Sequence, residues 1–299
     1  MTSKPLLHFF NYIKLVFKEF GNDNILKYSA SLAYYTVFSI PPLIVIISTL
    51  SGLFYGKDAV TGEIYQQLKG LVGNEAAQQI QDTIKNIHLS GHNFFATIIG
   101  IVILLIGATS IFGEIQDSLN KIWGLKIKSV RIWWKLILTR LLSFSLILSI
   151  GFIMSVSLIL NAIVSGFGNF LNKYLHQFSI YFIKTMEEIL SFIVAAFLFS
   201  LMFKLLPDAK IKWRDVFFGG LVTAGFFSIG KQIIGFYLGK SSLTSLYGAA
   251  GSIIVIMVWV YYNSIILYFG AECTKVYANL YGDRILPNDF AEYEEREKT

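Results

Sequence analysis

The sequence predicts an all-α polytopic membrane protein: six transmembrane helices, both termini in the cytoplasm, and an amphipathic helix lying in the membrane interface at the N-terminal end. Three observations predict this. Hydrophobic residues make up 55% of the 299, and mean hydropathy is +0.59. Charged residues make up only 15%, against roughly 25% in soluble domains, too few to coat a soluble fold of this length. The apolar residues also fall into blocks of about 20 or more, the length that crosses ~30 Å of hydrocarbon as a helix.

The first element is residues 5–20, PLLHFFNYIKLVFKEF. Leu6, Phe9, Phe10, Ile13, Phe17 and Phe20 recur at helical spacing, with Lys14 and Lys18 off that face. This is the pattern of a helix lying in a membrane interface. GNDN (21–24) ends it, and Asn22, Asp23 or Asn24 caps the next helix. Residues 1–24 therefore form an interfacial unit, 25–280 a membrane domain and 281–299 a charged cytoplasmic tail. The tail sequence DFAEYEEREKT has the composition of a frayed end.

The spans fall at about 30–55, 93–113, 136–165, 187–206, 216–236 and 247–272. Residues 57–92 carry Ala77, Ile80, Ile84 and Ile87 at helical spacing in a polar background and read as a helical loop outside the bilayer. Residues 166–186 are aromatic and amphipathic and read as interfacial. The first block comes after about thirty residues, and no small-residue cleavage site succeeds it, so it reads as a retained span.

Lysine and arginine set the orientation. The N-terminal arm, the loops after spans two and four, and the tail hold 18 of the 25. The remaining seven are Lys57, Lys69, Lys85, Lys173, Lys184, Lys231 and Lys240. Both termini are thereby placed in the cytoplasm, as an even number of spans requires. The net charge of +6 results from this topology, and no nucleic-acid partner is needed to explain it. A single cysteine, Cys273, excludes an internal disulfide.

Four stretches carry a family resemblance. They are SASLAYYTVFSIPPLI, ATSIFGEIQDSLNKIWGLK, FKLLPDAKIKWRDVFFGGLVTAGFF and FYLGKSSLTSLYGAAGSIIVIMVWVYYNSIILYFGAE. In this order and spacing, over roughly residues 10–280, the chain resembles the YihY/BrkB family of bacterial inner-membrane proteins, also grouped as UPF0761. The resemblance implies six spans and a bacterial inner-membrane location. That family has carried a ribonuclease label, which these residues do not support. There is no HExxH, GxSxG, Walker loop or CxxC, and the acidic residues of the cytoplasmic loops stand singly. His88 and His92 lie four apart in HLSGH, but Gly91 and a missing third ligand argue against a metal site. The expectation is a non-enzyme with no catalytic, cofactor or metal residues.

The remaining candidates are polar groups inside the spans. Tyr28, Ser31, Tyr35 and Ser39 share one helix face ahead of Pro41 and Pro42. The two prolines remove backbone donors and free carbonyls, which in hydrocarbon must find hydroxyl partners or water. The two readings are a broken helix whose polar face lines a cavity, and a kink satisfied by hydroxyls of neighbouring helices. Tyr261, Tyr268 and Glu272 form a similar stripe in span six. Glu272 reads either as a gate or proton-linked carboxylate, or as a salt-bridge partner of Lys275 or a cytoplasmic-loop arginine. Glu114, Asn263 and Lys231 read as packing groups: Glu114 beside Arg140 or Lys135, Asn263 as an interhelical hydrogen bonder, Lys231 either snorkelling outward or meeting Glu187 or Glu188.

The functional expectation is a transporter or lipid-translocating protein for a small or amphiphilic envelope-related substrate, with membrane lipids as its surroundings. The alternative is an envelope scaffold that does not transport. A homo-oligomer is allowed and not required.

Overall fold

The computed structural model describes residues 4–39, 110–128, 178–240 and 249–294. The chain is mostly helical over these residues. In chain order the elements are helix α1 (Lys4–Asn22), helix α2 (25–39), helix α3 (110–122), strand β1 (Leu125–Ile127), helix α4 (Phe178–Leu205), strand β2 (Ala209–Lys210), helix α5 (Trp213–Lys240), helix α6 (Ala249–Tyr281), strand β3 (Leu286–Pro287) and strand β4 (Ala291–Tyr293). The loop 57–92, the third span and the first part of the second lie outside the described residues.

The helix boundaries have local causes. Asn24 at φ 52° ends α1, and the helix resumes at once as α2, five residues before the expected start of span one. α3 runs to Ile122, beyond the expected membrane span that ends near 113, because SIFGEIQDSLNKI keeps an apolar edge after the uncharged block ends. Gly124, at φ 66°, then closes it by donating its amide to the Lys121 carbonyl at 3.0 Å. That left-handed geometry is the usual glycine stop. α4 ends ahead of Pro207, as expected. α6 is 33 residues long, about 50 Å at 1.5 Å per residue. It therefore runs past the predicted end at 272 to Tyr281 and outreaches the hydrocarbon.

Among the described residues, two helices contain a stretch long and apolar enough to cross a membrane, at Glu188–Leu205 in α4 and Ile256–Tyr281 in α6. In α4 only 17% of that stretch is buried. Ile189, Ile193 and Phe197 of α4 and Phe217, Leu221, Phe226, Ile229 and Ile233 of α5 are all exposed. An apolar helix turned outward in this way is stable in lipid and not in water.

The C-terminal segment departs from the all-α expectation. β1 pairs antiparallel with β4, Leu125 opposite Tyr293 and Ile127 opposite Ala291. β2 pairs antiparallel with β3, Ala209 opposite Pro287 and Lys210 opposite Leu286. Residues 286–293 are therefore tied down and not frayed. Their anchors are apolar: Ile285 and Ala291 are buried among the charged residues around them.

The chain divides into two compact units. The first comprises Met1–Ile25, Gln116–Gly230 and Ile266–Thr299; the second comprises Leu26–Ile115 and Lys231–Ile265. In the first, α1 packs on α6 through Tyr12 and Val16, which meet Cys273 and Val276, with Phe218 and Val222 of α5 beside them. Phe10 and Phe17 of α1 stay exposed. The docking edge is thus Tyr12–Val16, offset from the phenylalanine face that the helical spacing predicts as apolar.

α5 and α6 approach through two matching Gly-x-x-x-Thr steps. Thr223 and Thr274 each return their hydroxyl hydrogen to the carbonyl four residues back, Gly219 at 2.7 Å and Gly270 at 2.8 Å. A Cβ on Gly219 would lie 1.7 Å from Thr274 Oγ1, and one on Gly270 would lie 1.7 Å from Thr223 Oγ1. Each glycine thus receives the other helix's threonine, the small-xxx-small contact by which membrane helices come close. Gly220 receives Ser200 of α4 in the same way.

Candidate functional site: a buried ion cluster on α1 and α6

α6 carries Glu272 and Lys275 one turn apart; Glu19 lies in the last turn of α1, and Asp23 follows in the turn just beyond it, its amide donating to the Glu19 carbonyl at 2.9 Å. The Tyr12–Val16 packing brings these two edges together. Lys275 Nζ lies 2.5 Å from Asp23 Oδ2, 2.9 Å from Glu19 Oε2 and 3.2 Å from Glu272 Oε2. One carboxylate oxygen from each acid lies within 4.8 Å of the others. The side chains are 0% exposed for Glu272, 9% for Asp23, 11% for Lys275 and 17% for Glu19. The three oxygens have the spacing of a cation site, and the ammonium of Lys275 takes its centre.

The surroundings hold the cluster in place. Tyr12 donates its hydroxyl hydrogen to the Cys273 carbonyl at 3.0 Å. Burial, and then the neighbouring Cys273, push the Tyr12 hydroxyl far above its ordinary pKa, so it remains a donor. Trp123 Nε1 donates to the Ala271 carbonyl at 3.2 Å. Both bonds reach backbone within one or two residues of Glu272 and fix the pitch of α6 there. Among the described residues, no group outside the cluster hydrogen-bonds to either oxygen of Glu272.

A second polar knot lies in the same unit. Asp208, buried after α4, accepts hydrogen bonds from Asn120 at 2.8 Å and Gln116 at 3.3 Å on one oxygen, and from Asn288 at 3.3 Å on the other. Its amide donates to Asn120 Oδ1 at 2.8 Å, and its carbonyl accepts from the Asn288 amide at 3.0 Å. This knot joins α3, the α4–α5 loop and the β3–β4 segment. Asp215 is fully buried in the first turn of α5, where the helix dipole favours a carboxylate, and it presses against Gly282.

The candidates read from the sequence are dispersed by comparison. Glu272 and Tyr268 are fully buried in α6, while Tyr261 is half-buried. On α2, Tyr28 and Ser31 are half-buried and Tyr35 is 38% exposed, in an aromatic cluster with the exposed Tyr34 and Phe38. Ser39 is buried and bonds the Tyr35 carbonyl at 2.9 Å within its own helix. Pro41 and Pro42 lie outside the described residues. Asn263, expected to bond across helices, donates to the Trp259 carbonyl of α6 at 2.7 Å. The cause is local: a short amide side chain reaches the carbonyl one turn back. Glu114 is half-buried on α3; Arg140 and Lys135, its expected partners, lie outside the described residues. Lys231 belongs to α5, and its side chain lies outside the described part.

Sequence reasoning identified Glu272 and Lys275 but missed Glu19, Asp23 and Asp208. The signal was present: Glu19 and Asp23 are four apart, as are Gln116 and Asn120. Such pairs share a helix face. What faces them is a matter of tertiary contact.

The family described as "Virulence factor BrkB" matches residues 16–291. The chain is similar to a "UPF0761 membrane protein" of Psychromonas ingrahamii, 27% identical over 274 residues covering 89% of this chain and 87% of that protein. A UPF0761 membrane protein of Pseudoalteromonas atlantica is 25% identical, covering 89% of this chain and 85% of that one. One from Haemophilus influenzae is 24% identical, covering 88% and 93% respectively. No solved structure matches the chain.

Proposed function

The chain belongs to the BrkB family of membrane proteins, and from that premise we propose that it is a multi-pass inner-membrane transporter or lipid-translocating protein. The substrate is a small or amphiphilic envelope-related molecule, and the protein acts without enzymatic chemistry of its own. In this reading six helices cross the membrane, both termini are cytoplasmic, and lipids are the immediate partners.

One observation carries the reading: four ionisable side chains, Glu272 and Lys275 buried and Glu19 and Asp23 half-buried, meet at the junction of α1 with the apolar helix α6. Charged groups in a membrane segment are costly and are found where ions, protons or substrates pass. A purely structural helix contact is made more cheaply by the Gly-Thr steps of α5 and α6. The Asp208 knot favours the second reading, a scaffold, since its hydrogen bonds join loops and carry no net path.

The test is translocation in proteoliposomes holding the purified chain. Labelled lipids are followed by dithionite quenching, and a panel of small solutes by efflux. Protein-dependent movement that falls in Glu272→Gln supports transport through this unit. Absence of movement for every lipid and solute, with the protein folded, supports the scaffold.

A further inference from the structure

Glu272 is a fully buried carboxylate, and among the described residues its oxygens are met only by the cluster itself, by the Lys275 ammonium and the neighbouring Asp23 carboxyl. Lys275 stands 3.2 Å from its Oε2 but is shared with Asp23 and Glu19 at shorter range. If all three acids are ionised, the four side chains sum to a charge of −2. Carboxylates sharing one small buried site do not all ionise together, because their repulsion is not screened there. The charge is relieved by a further cation or by a proton.

The geometry chooses between them. A metal ion binds carboxylate oxygens at about 2.0–2.6 Å and needs the centre of its ligand set. That centre is occupied by Lys275 Nζ, within 3.2 Å of an oxygen from every acid. A proton needs no such volume. It needs a carboxylate oxygen with open lone pairs, and Glu272 Oε1 supplies one.

We propose that the Glu272 carboxylate binds and releases one proton inside the α1–α6 cluster, and that this proton is the ion that drives the protein. The second half rests on the transport reading; the proton site does not. The proton arrives from water, adds to a carboxylate oxygen, and takes the charge of the four side chains from −2 to −1. Its titratable neighbours among the described residues are Glu19 and Tyr12 of α1, Asp23 in the turn after α1, and Cys273 and Lys275 of α6. From α5 the core beside them receives the apolar Phe218 and Val222. With Glu272 neutral, the Lys275 ammonium is left to Asp23 and Glu19, and α1 is held on α6. With Glu272 ionised, its charge repels both Glu19 and Asp23 and competes for the same ammonium, so the hold weakens. Proton binding is thereby linked to the grip between the two helices.

The test is pH-difference infrared spectroscopy of the full chain in lipid vesicles, read at the carbonyl stretch of protonated carboxyl groups. The expected result is a band that titrates in the wild type, is missing in Glu272→Gln and is unchanged by sodium. Asp23→Asn, which removes a neighbouring negative charge, lowers the proton affinity behind the band by about tenfold or more. It keeps the test decisive if Glu272→Gln does not fold. A spectrum indifferent to both substitutions overturns the proton site, and so does a band that sodium abolishes at fixed pH. Substrate movement insensitive to a proton gradient overturns the driving role while leaving the site. Absence of any movement, with the band intact, refutes the transport reading alone.

Discussion

Replacing Gly270 with alanine puts a methyl group where α5 already has one side chain. The new Cβ would sit 1.7 Å from Thr223 Oγ1, 3.0 Å from Thr223 Cβ and 3.2 Å from Phe203 Cζ. Rotating Thr223 does not help, because its Cβ is itself too close, and its hydroxyl would lose the 2.7 Å bond to Gly219. Threonine is also stiff at χ1. The helices must separate by about 1 Å or more, and overpacking of this kind costs about 1–3 kcal/mol, occasionally more. We expect about 3 kcal/mol for Gly270→Ala, since the clash is with branched and aromatic side chains. Thr223→Ala alone should cost about 1 kcal/mol in lost packing. The double variant should be less destabilised than the sum, by about 1–2 kcal/mol, because residues in contact couple. Gly225→Ala is the control: nothing lies within 4 Å of its Cβ. There the ordinary helix preference for alanine is expected to stabilise by about 0.5–1 kcal/mol. The assay is thermal unfolding in detergent followed by tryptophan fluorescence. About 2–4 °C per kcal/mol puts Gly270→Ala roughly 6–12 °C below the wild type. If it melts with the wild type, or if the two substitutions add, the close approach of α5 and α6 is refuted.

Three further perturbations have defined outcomes. Lys275→Met leaves three acids without their shared ammonium and should destabilise by about 3–5 kcal/mol, read in the same melt; Glu272→Gln should be far milder, since it removes a repelled charge. Asn120→Ala takes both a donor and an acceptor from Asp208 and should cost about 1–3 kcal/mol. Limited proteolysis should then cut the C-terminal segment faster. Lys210 holds the exposed Asp289 carboxyl below its ordinary pKa. Its folded-state pKa is therefore the lower one, so the contact is present above the unfolded pKa and fades as pH falls through the folded one. The protection of the Phe290 amide, its exchange relative to the intrinsic rate at each pH, should fall on acidification, and less so in Lys210→Met.

The sequence by itself determined the environment. Its apolar blocks, scarce charge and family wording place the chain in a membrane, and the helices α4, α5 and α6 stand where the blocks stand. Pro207 stops a helix as expected, because a missing amide acts locally. The ends of α3 and α6 were less legible, since a helix continues wherever later packing satisfies it, whether or not the residues are apolar. Tertiary structure decided the rest. Glu19, Asp23, Glu272 and Lys275 are two ordinary one-turn pairs until Tyr12 and Val16 dock on Cys273 and Val276. Asp208 is a loop aspartate until Asn120 and Asn288 close on it from 88 residues before and 80 after. The tail is a charged run until Ile285 and Ala291 are buried and its backbone pairs with β1 and β2. Periodicity and composition report the face a residue occupies and the medium that face prefers. They carry no information on which distant segment comes to cover it, and the buried charges of this protein depend on that covering.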